Sequence, residues 1–329
     1  MNDPTAAEAP VDCPRCGYDQ SGALASFRAA DAWPMRGRCP ECGLDWCWGD
    51  LLHPARQMPK WLVENPRRAA ALTLAPTWRR ALRPRRFWSR VLVTLPIHRG
   101  RLVLYALFTL LLTYAVAGAT SAWSEHAFGG RMFMPGAIIS PSRTDTLLLA
   151  AAWPVGSGSY HDVRPLGPMS VLAIAWVLLM PLPFLALRQT FLLIRVRRIH
   201  LLRIWAYSLT PLPPLVLVVG LIHHSAHLVQ SSITAWSGYQ RTAWSVASSV
   251  LHADWCVALI LGAWLALFWS RSIRLYLRLP NARLVITLML IASFLGATAI
   301  AAYYPGSTLT QQVGSWFVWQ TPSRLKVVP

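Results

Sequence analysis

Four cysteines near the amino terminus are the residues of this sequence best suited to chemistry. Two residues separate Cys13 from Cys16, Cys39 and Cys42 repeat that spacing, and 22 residues lie between the two pairs. Both pairs read Cys-Pro-x-Cys-Gly, and the glycine after each pair permits the positive φ of a tight turn. Four thiolates with this spacing are typical of a closed tetrahedral metal site, which holds structure and leaves no open position for catalysis.

Zinc is the expected ion. Iron is a less favoured alternative, and it is considered because these pairs also resemble those of rubredoxin. Disulfides are a further alternative, and they need an oxidising compartment. A segment of about 40 residues has too small a core to fold without a bound metal ion or disulfide bonds. We therefore predict a zinc ribbon over 11–50, preceded by a disordered tail at 1–10. Cys47 could replace a ligand, but the simpler interpretation is a small buried residue beside Trp46 and Trp48.

The rest of the chain is unusually apolar. Of its 329 residues 54% are hydrophobic and 13% charged, and the mean hydropathy is +0.38, which indicates a membrane protein. A helix needs about 20 apolar residues to cross a bilayer. Five stretches qualify, so we predict a mostly α-helical, polytopic bundle over 101–305 with spans at approximately 102–122, 168–187, 202–222, 254–271 and 284–304. The polar first forty-odd residues give no reason to expect a signal peptide.

The positions of the arginines predict the orientation of the spans. The net charge is +18, and nine of the thirteen acidic residues lie at or before Glu64. The link between spans two and three has no acid and carries five arginines, Arg188, Arg195, Arg197, Arg198 and Arg203, the last at the start of span three. The link between spans four and five is also rich in arginine and free of acids. On the opposite side, 123–167 has balanced charges and 223–253 has Arg241 as its only Lys or Arg. Arginine-rich links stay in the cytoplasm. The sequence therefore places the N-terminus inside and the tail at 306–329 outside.

A basic segment at 51–100 connects the ribbon to the bundle. From Lys60 to Arg101 it has eleven Lys and Arg against one acid, interleaved with tryptophan and phenylalanine. Helical pieces are expected at 66–75 and 77–95, the second interrupted at Pro84. In "RPRRFW", at 83–88, arginines precede aromatic rings that favour the headgroup level, so we expect an interfacial linker on anionic lipid. Nucleic-acid binding uses similar residues, and closeness to the first span makes it the less favoured alternative.

At this point the sequence resembles the Yip (Ypt-interacting protein) membrane family, in particular bacterial members with an N-terminal zinc ribbon. The residues that suggest this are the "CPRCG" and "CPECG" pairs, "RPRRFW", and "AYSLTPL" at 206–212. The resemblance implies a five-span membrane scaffold with a cytoplasmic N-terminus. The acidic segment of the eukaryotic members is absent, so GTPase binding is not implied. The scarcity of Lys beside abundant Arg, Ala, Pro and Trp suggests a GC-rich coding sequence and a bacterial source, so the expected location is the bacterial inner membrane.

Outside the thiols, the best catalytic candidates are histidines at the outer ends of spans three and four. His223 and His227 lie four apart on one helical face, and His252 could join them in a metal site of a membrane enzyme. No glutamate accompanies them as a general base, and histidines are common at interfaces. The favoured hypothesis is therefore a scaffold or interaction protein without catalytic residues, which lies in the bilayer and binds a protein partner through the ribbon. Tethering of nucleic acid by the ribbon is a further alternative.

Overall fold

The computed structural model describes residues 11–30, 34–128, 168–183, 196–222, 225, 240–279 and 282–303. The predicted tails, most of the loop at 123–167 and the histidines at 223, 224 and 227 lie outside these residues. The described chain divides into two compact units. Unit 1 draws its described residues from Met1–Thr109, Met180–Thr210 and Trp264–Leu290, and unit 2 draws them from Leu110–Leu179, Pro211–Ala263 and Ile291–Pro329.

The described part of 11–50 forms a small module in unit 1, which we call the thiol module. It contains helix α1 (Ser21–Ala29), strands β1 (Arg36–Arg38) and β2 (Asp45–Cys47), and the start of helix α2 (Trp48–Leu52). The strands pair antiparallel, with Gly37 opposite Trp46. Glycine at this position is required by packing, because the indole nitrogens of Trp46 and Trp48 would lie 2.9 and 2.8 Å from a Cβ there.

Three short helices follow the thiol module in unit 1: α3 (Pro54–Gln57), α4 (Ala70–Ala81) and α5 (Pro84–Trp88). The expected boundaries were wrong in two places. Helix α4 runs through Pro76, which has no N–H to donate to the carbonyl of Leu72 one turn earlier. Helix α5 begins at Pro84, which suits the first helical turn, and ends at Trp88 well before residue 95.

The remaining helices are long and apolar. They are α6 (Arg99–Phe128), α7 (Pro168–Leu179), α8 (Arg198–Ser208), the helical residues 212–222, α9 (Gln240–Arg271) with its π-helical continuation Ser272–Tyr276, and α10 (Ala282–Tyr303). Among the described residues, four helical segments could cross a membrane by length and composition: Arg99–Thr120, Arg198–Ile222, Cys256–Tyr276 and Arg283–Ala301. These overlap predicted spans one, three, four and five.

Predicted span two, 168–187, is described only as far as residue 183. Helix α7 occupies its first part, and a turn at Met180 and Pro181 follows. The third span is likewise interrupted by a turn at 209–211, which ends at Pro211. Four apolar helices indicate a membrane protein, and the predicted total of five spans stays a prediction.

Unit 2 is held together by contacts between α7 and the later helices. The indole nitrogen of Trp176 donates to the hydroxyl of Ser293 at 3.1 Å, and its ring meets Phe294 edge to face at 4.9 Å. A Cβ on Gly262 would lie 2.6 Å from the Trp176 ring, so the close approach of that ring requires glycine. Ala117 and Val216 form a further buried cluster in this unit.

Candidate metal centre and its connection to a buried ion pair

Each cysteine pair closes a tight turn of the same form. The backbone N–H of Gly17 donates to the carbonyl of Cys13 at 2.9 Å, and Gly43 donates to Cys39 at 2.9 Å. Both glycines have positive φ, 81° at Gly17 and 68° at Gly43, as the sequence predicts. Each turn therefore points both thiols of its pair to the same side.

The four thiols converge. Their sulfur atoms all lie within 4.8 Å of one another, with 3.7 Å between Cys13 and Cys42 and 3.6 Å between Cys16 and Cys39. Zinc–sulfur bonds of about 2.3 Å place tetrahedral thiolates about 3.8 Å apart, so the arrangement fits a metal ion. Disulfide sulfurs are about 2.05 Å apart, and all four cysteines are free thiols.

The surroundings of Cys13 and Cys42 oppose ionisation of these two thiols. Cys13 and Cys39 are buried, and burial raises the pKa of Cys13 above its ordinary value and that of Cys42 to about 11. At Cys39 burial acts in the same direction, but hydrogen bonds from the Cys42 backbone and the neighbouring thiols outweigh it and lower the pKa. A bound cation would stabilise all four thiolates together. The side-chain amide of Gln20, 3.8 Å from the Cys39 sulfur, would donate to the ligand set.

The other two cysteines lie apart from this cluster. Cys47 and Cys256 are exposed. The expectation that Cys47 is buried was wrong, because β2 alternates its faces and it is Trp46 that points into the module. Cys47 thus provides an internal comparison for the four clustered thiols.

The first cysteine turn docks on the beginning of α8. The backbone N–H of Arg197 donates to the carbonyl of Arg15 at 2.9 Å, and its guanidinium pairs with the carboxylate of Asp12 at 2.6 Å. A Cβ on Gly17 would collide with the same guanidinium, so glycine is needed here for space as well as for its backbone conformation. Two residues of the module thus fix the turn to the position just before α8.

His200 extends this contact into the interior of unit 1. Its Nε2 lies 2.6 Å from the carbonyl oxygen of Pro14, inside the Cys-Pro-Arg-Cys turn, and its Nδ1 lies 2.6 Å from the hydroxyl of Tyr276. Because a carbonyl only accepts, Nε2 carries the proton, and in the neutral ring Tyr276 donates to Nδ1. His200 is only 2% exposed, so neither partner can be replaced readily by water.

Tyr276 in turn contacts a fully buried ion pair. The Arg203 guanidinium places Nε 2.8 Å from Oε1 and Nη2 2.7 Å from Oε2 of Glu64, and both side chains are 0% exposed. Tyr207 donates to the same carboxylate at 2.8 Å, and Arg203 Nη1 donates to Tyr276 at 3.1 Å. The remaining guanidinium contacts, at 3.3 and 3.4 Å, are to the carbonyls of Leu95 and Pro96. A buried ion pair whose partners also make further hydrogen bonds is the form in which buried charges are tolerated.

Aromatic rings enclose this ion pair. Phe87 meets Tyr207 at a centroid distance of 4.8 Å, and Trp88 meets Tyr276 at 5.0 Å. The expectation that the Phe87 and Trp88 rings face lipid headgroups was wrong, because they are 0% and 1% exposed and cover the pair. The arginines beside them, Arg85 and Arg86, remain exposed.

Sequence reasoning missed this second constellation. It counted Arg203 among the cytoplasmic arginines and treated Glu64 as the lone acid of the linker. One signal was present in the sequence. An isolated acid in a basic, aromatic segment next to apolar spans is expected to pair with a cation when it is buried. The spacing of Arg203 and Tyr207, one helical turn apart, was a second.

The predicted outer histidine site lies mostly outside the described residues. His223 and His227 fall there, and His252 belongs to α9 without a described side chain. Within the part of the chain that the structure describes, the four clustered cysteines are the group of at least three potential ligands that could hold a metal. Comparison with known proteins finds no matching family model, no matching curated protein and no matching solved structure.

Proposed function

We propose that this chain is a non-enzymatic membrane scaffold in which a cytoplasmic zinc ribbon is bound to the entrance of the helical bundle. The observation that carries the proposal is the convergence of four thiols from two turns, the first of which docks on the start of an apolar helix. A ribbon attached in this way is a fixed part of the bundle. It therefore presents a constant surface to a protein partner.

Zinc is the ion that best suits this role. Four thiolates leave no open coordination position, and zinc prefers this closed tetrahedral set in structural sites. The separations of 3.6 and 3.7 Å match that geometry. A cytoplasmic location keeps the cysteines reduced.

The orientation and the membrane are part of the same proposal. The arginine-rich links predict a cytoplasmic N-terminus and an outer C-terminus in a bacterial inner membrane. The resemblance to the Yip family, which no comparison tests, agrees with a scaffold of this topology. The proposed partners are the bilayer, its anionic lipids and a protein bound at the ribbon, with nucleic acid less favoured.

The experiment uses the full chain purified in mild detergent. We expect about one zinc ion per chain, as structural sites of this kind hold, and cobalt substitution should give the absorption of tetrahedral cobalt–thiolate. Cys39→Ser should abolish both signals. Cys47→Ser is the matched control, since this thiol is exposed and outside the cluster, and it should leave metal content unchanged. Iron in the purified chain, or equal loss of metal in both variants, would overturn the assignment.

The alternative of an enzyme with an outer histidine site is tested in the same preparation. Replacement of His223, His227 and His252 by alanine should leave the metal content unchanged if the ribbon is the metal site. Loss of a second equivalent of metal in this triple variant would favour the enzyme over the scaffold. Reporter fusions at residues 20 and 195 should both report the cytoplasm, and opposite sides would contradict the proposed topology.

A further inference from the structure

Helices α4 and α5 leave an unusual surface exposed. Five arginines within twelve residues are exposed on it: Arg79, Arg83, Arg85, Arg86 and Arg90. No acidic residue occurs in the sequence between Glu64 and Glu125. Among the described residues, none of these five guanidinium groups has an ion-pair or hydrogen-bond partner. Such a cluster repels itself and requires an external counter-charge.

Helix α4 also exposes apolar side chains. Ala71, Leu72 and Ala75 are exposed on α4, and Leu72 is 72% exposed. Positions 72, 75 and 79 lie three and four residues apart, so they share one face of the helix, with arginine at its C-terminal end. We call Ala71, Leu72, Ala75 and the five arginines the α4–α5 surface. An apolar face bordered by arginines is typical of a helix that lies in a membrane interface.

The inward contacts of α4 and α5 place this surface beside candidate spans. The indole nitrogen of Trp264, within the span Cys256–Tyr276, donates to the carbonyl of Leu82 at 3.2 Å. Trp88 contacts Phe268 of the same span at 5.4 Å, and Phe87 contacts Tyr207 of the span Arg198–Ile222 at 4.8 Å. These contacts place the segment directly against the two candidate spans. If the spans cross a bilayer, as proposed above, the outward side chains of the segment lie beside lipid.

We propose that the α4–α5 surface binds the phosphate headgroups of anionic lipids, with Leu72 seated at the acyl boundary. The proposal rests on the membrane location given under Proposed function and names the lipid partner's site. Guanidinium groups bind phosphate through bidentate hydrogen bonds. Each arginine near an anionic leaflet adds to the electrostatic attraction between the protein and the lipid. Nucleic acid is the poorer fit because it stacks on exposed rings, whereas Phe87 and Trp88 are buried and the guanidinium of Arg80 lies 5.0 Å above the Trp61 ring.

The test compares lipid retention by the full chain in native mass spectrometry. The protein is equilibrated in mild detergent with equal amounts of phosphatidylglycerol and phosphatidylcholine. We expect the chain to retain phosphatidylglycerol preferentially. Removal of three charges in Arg83→Gln/Arg85→Gln/Arg86→Gln should reduce that preference about tenfold or more. The matched control removes three exposed arginines elsewhere, Arg36→Gln/Arg38→Gln/Arg56→Gln, and should keep the preference.

Three further arms decide between sources of the negative charge and guard against misfolding. Excess inorganic phosphate should leave the bound lipid in place. Displacement of the lipid by phosphate would mean that the surface recognises free phosphate. Excess single-stranded oligonucleotide should likewise fail to displace the bound lipid. If the unmodified chain binds the oligonucleotide and the triple variant does not, the proposal is overturned in favour of nucleic acid. Raising the salt concentration on the unmodified chain should lower phosphatidylglycerol retention without any substitution.

The outcome is separable from that of the proposed function. Zinc content is measured on the same samples and reports only on the ribbon. Equal retention of the two lipids by the unmodified chain would overturn the α4–α5 proposal and leave the ribbon assignment standing. Absence of zinc with intact lipid preference would do the reverse.

Discussion

The thiol cluster and the Arg203–Glu64 pair are two ways of keeping ionisable groups away from water in the same unit. The cluster is assembled from two turns that each place their cysteines three positions apart, and it is suited to neutralisation by a metal ion. The ion pair joins residues 139 positions apart and is neutral by itself. The first depends on local sequence, whereas the second exists only once the fold has formed.

The two regions also differ in what they need from their surroundings. The thiol module has a small core, so an ion must supply much of its folding free energy. The ion pair has both of its charges matched, and aromatic rings enclose it. His200 joins the two through the Pro14 carbonyl on one side and Tyr276 on the other. Perturbing each region separately therefore shows how far they depend on one another.

Removal of the metal should have the largest effect. Zinc contributes about 10 kcal/mol or more to the folding of small thiolate modules, so chelation should unfold residues 11–50. Hydrogen exchange on the full chain should show lost protection at the amides of Gly17 and Gly43, which bond to cysteine carbonyls in the two turns. The amides of α8 should remain protected, because the ion pair holds that helix. Retained protection in both turns without metal would show that the module folds by packing alone.

Breaking the ion pair should have the next largest effect. Glu64→Gln keeps the side-chain size but leaves the buried Arg203 without a counter-charge, at an expected cost of about 3–5 kcal/mol. Thermal unfolding in detergent should show a large decrease in midpoint, while zinc content is retained. The control Arg86→Gln removes an exposed charge and should change the midpoint little.

The double variant Glu64→Gln/Arg203→Met sharpens this measurement. Replacing both partners removes the unmatched charge, so the double variant should be more stable than Glu64→Gln alone. If it is equally destabilised, hydrogen bonds from Arg203 to the carbonyls of Leu95 and Pro96 are the important contribution. The cycle thus separates charge neutralisation from backbone bonding.

This contrast explains which parts of the molecule could be predicted from the sequence. The cysteine turns follow from residues at most four apart, and apolar spans follow from length and composition, so both are visible in one dimension. The burial of Phe87 and Trp88 depends on Tyr207 and Tyr276, which lie far away in the chain. Adjacent arginines made those rings look like headgroup anchors. The pairing of Glu64 with Arg203 requires knowing which helix packs on the linker, and residue types alone do not give it.

The link between the two regions should have an intermediate effect. His200→Leu removes the partner of the Pro14 carbonyl and of the Tyr276 hydroxyl, and unsatisfied buried groups cost about 1–3 kcal/mol each at most. We expect a lower unfolding midpoint and faster hydrogen exchange in the Cys13–Cys16 turn, with zinc stoichiometry unchanged. His98→Leu is a control at another histidine of unit 1, which is only partly buried. Unchanged exchange in the turn would mean that the module docks through Arg197 alone.

The smallest effect is expected from the exposed counterpart of the buried pair. Asp12 and Arg197 bring the same two chemical groups to 2.6 Å, but their side chains are 36% and 41% exposed, whereas Glu64 and Arg203 are 0% exposed. Water screens the exposed pair, so Asp12→Asn should cost about 0–1 kcal/mol, and the loss should vanish at high salt. The midpoint shift of Glu64→Gln should persist at the same salt concentration, since ions do not reach the buried pair. Thermal unfolding of both variants at low and high salt checks this directly. A large, salt-independent shift for Asp12→Asn would mean that docking of the thiol module excludes water from the contact. The stabilities of the thiol module and of the Arg203–Glu64 region would then be coupled.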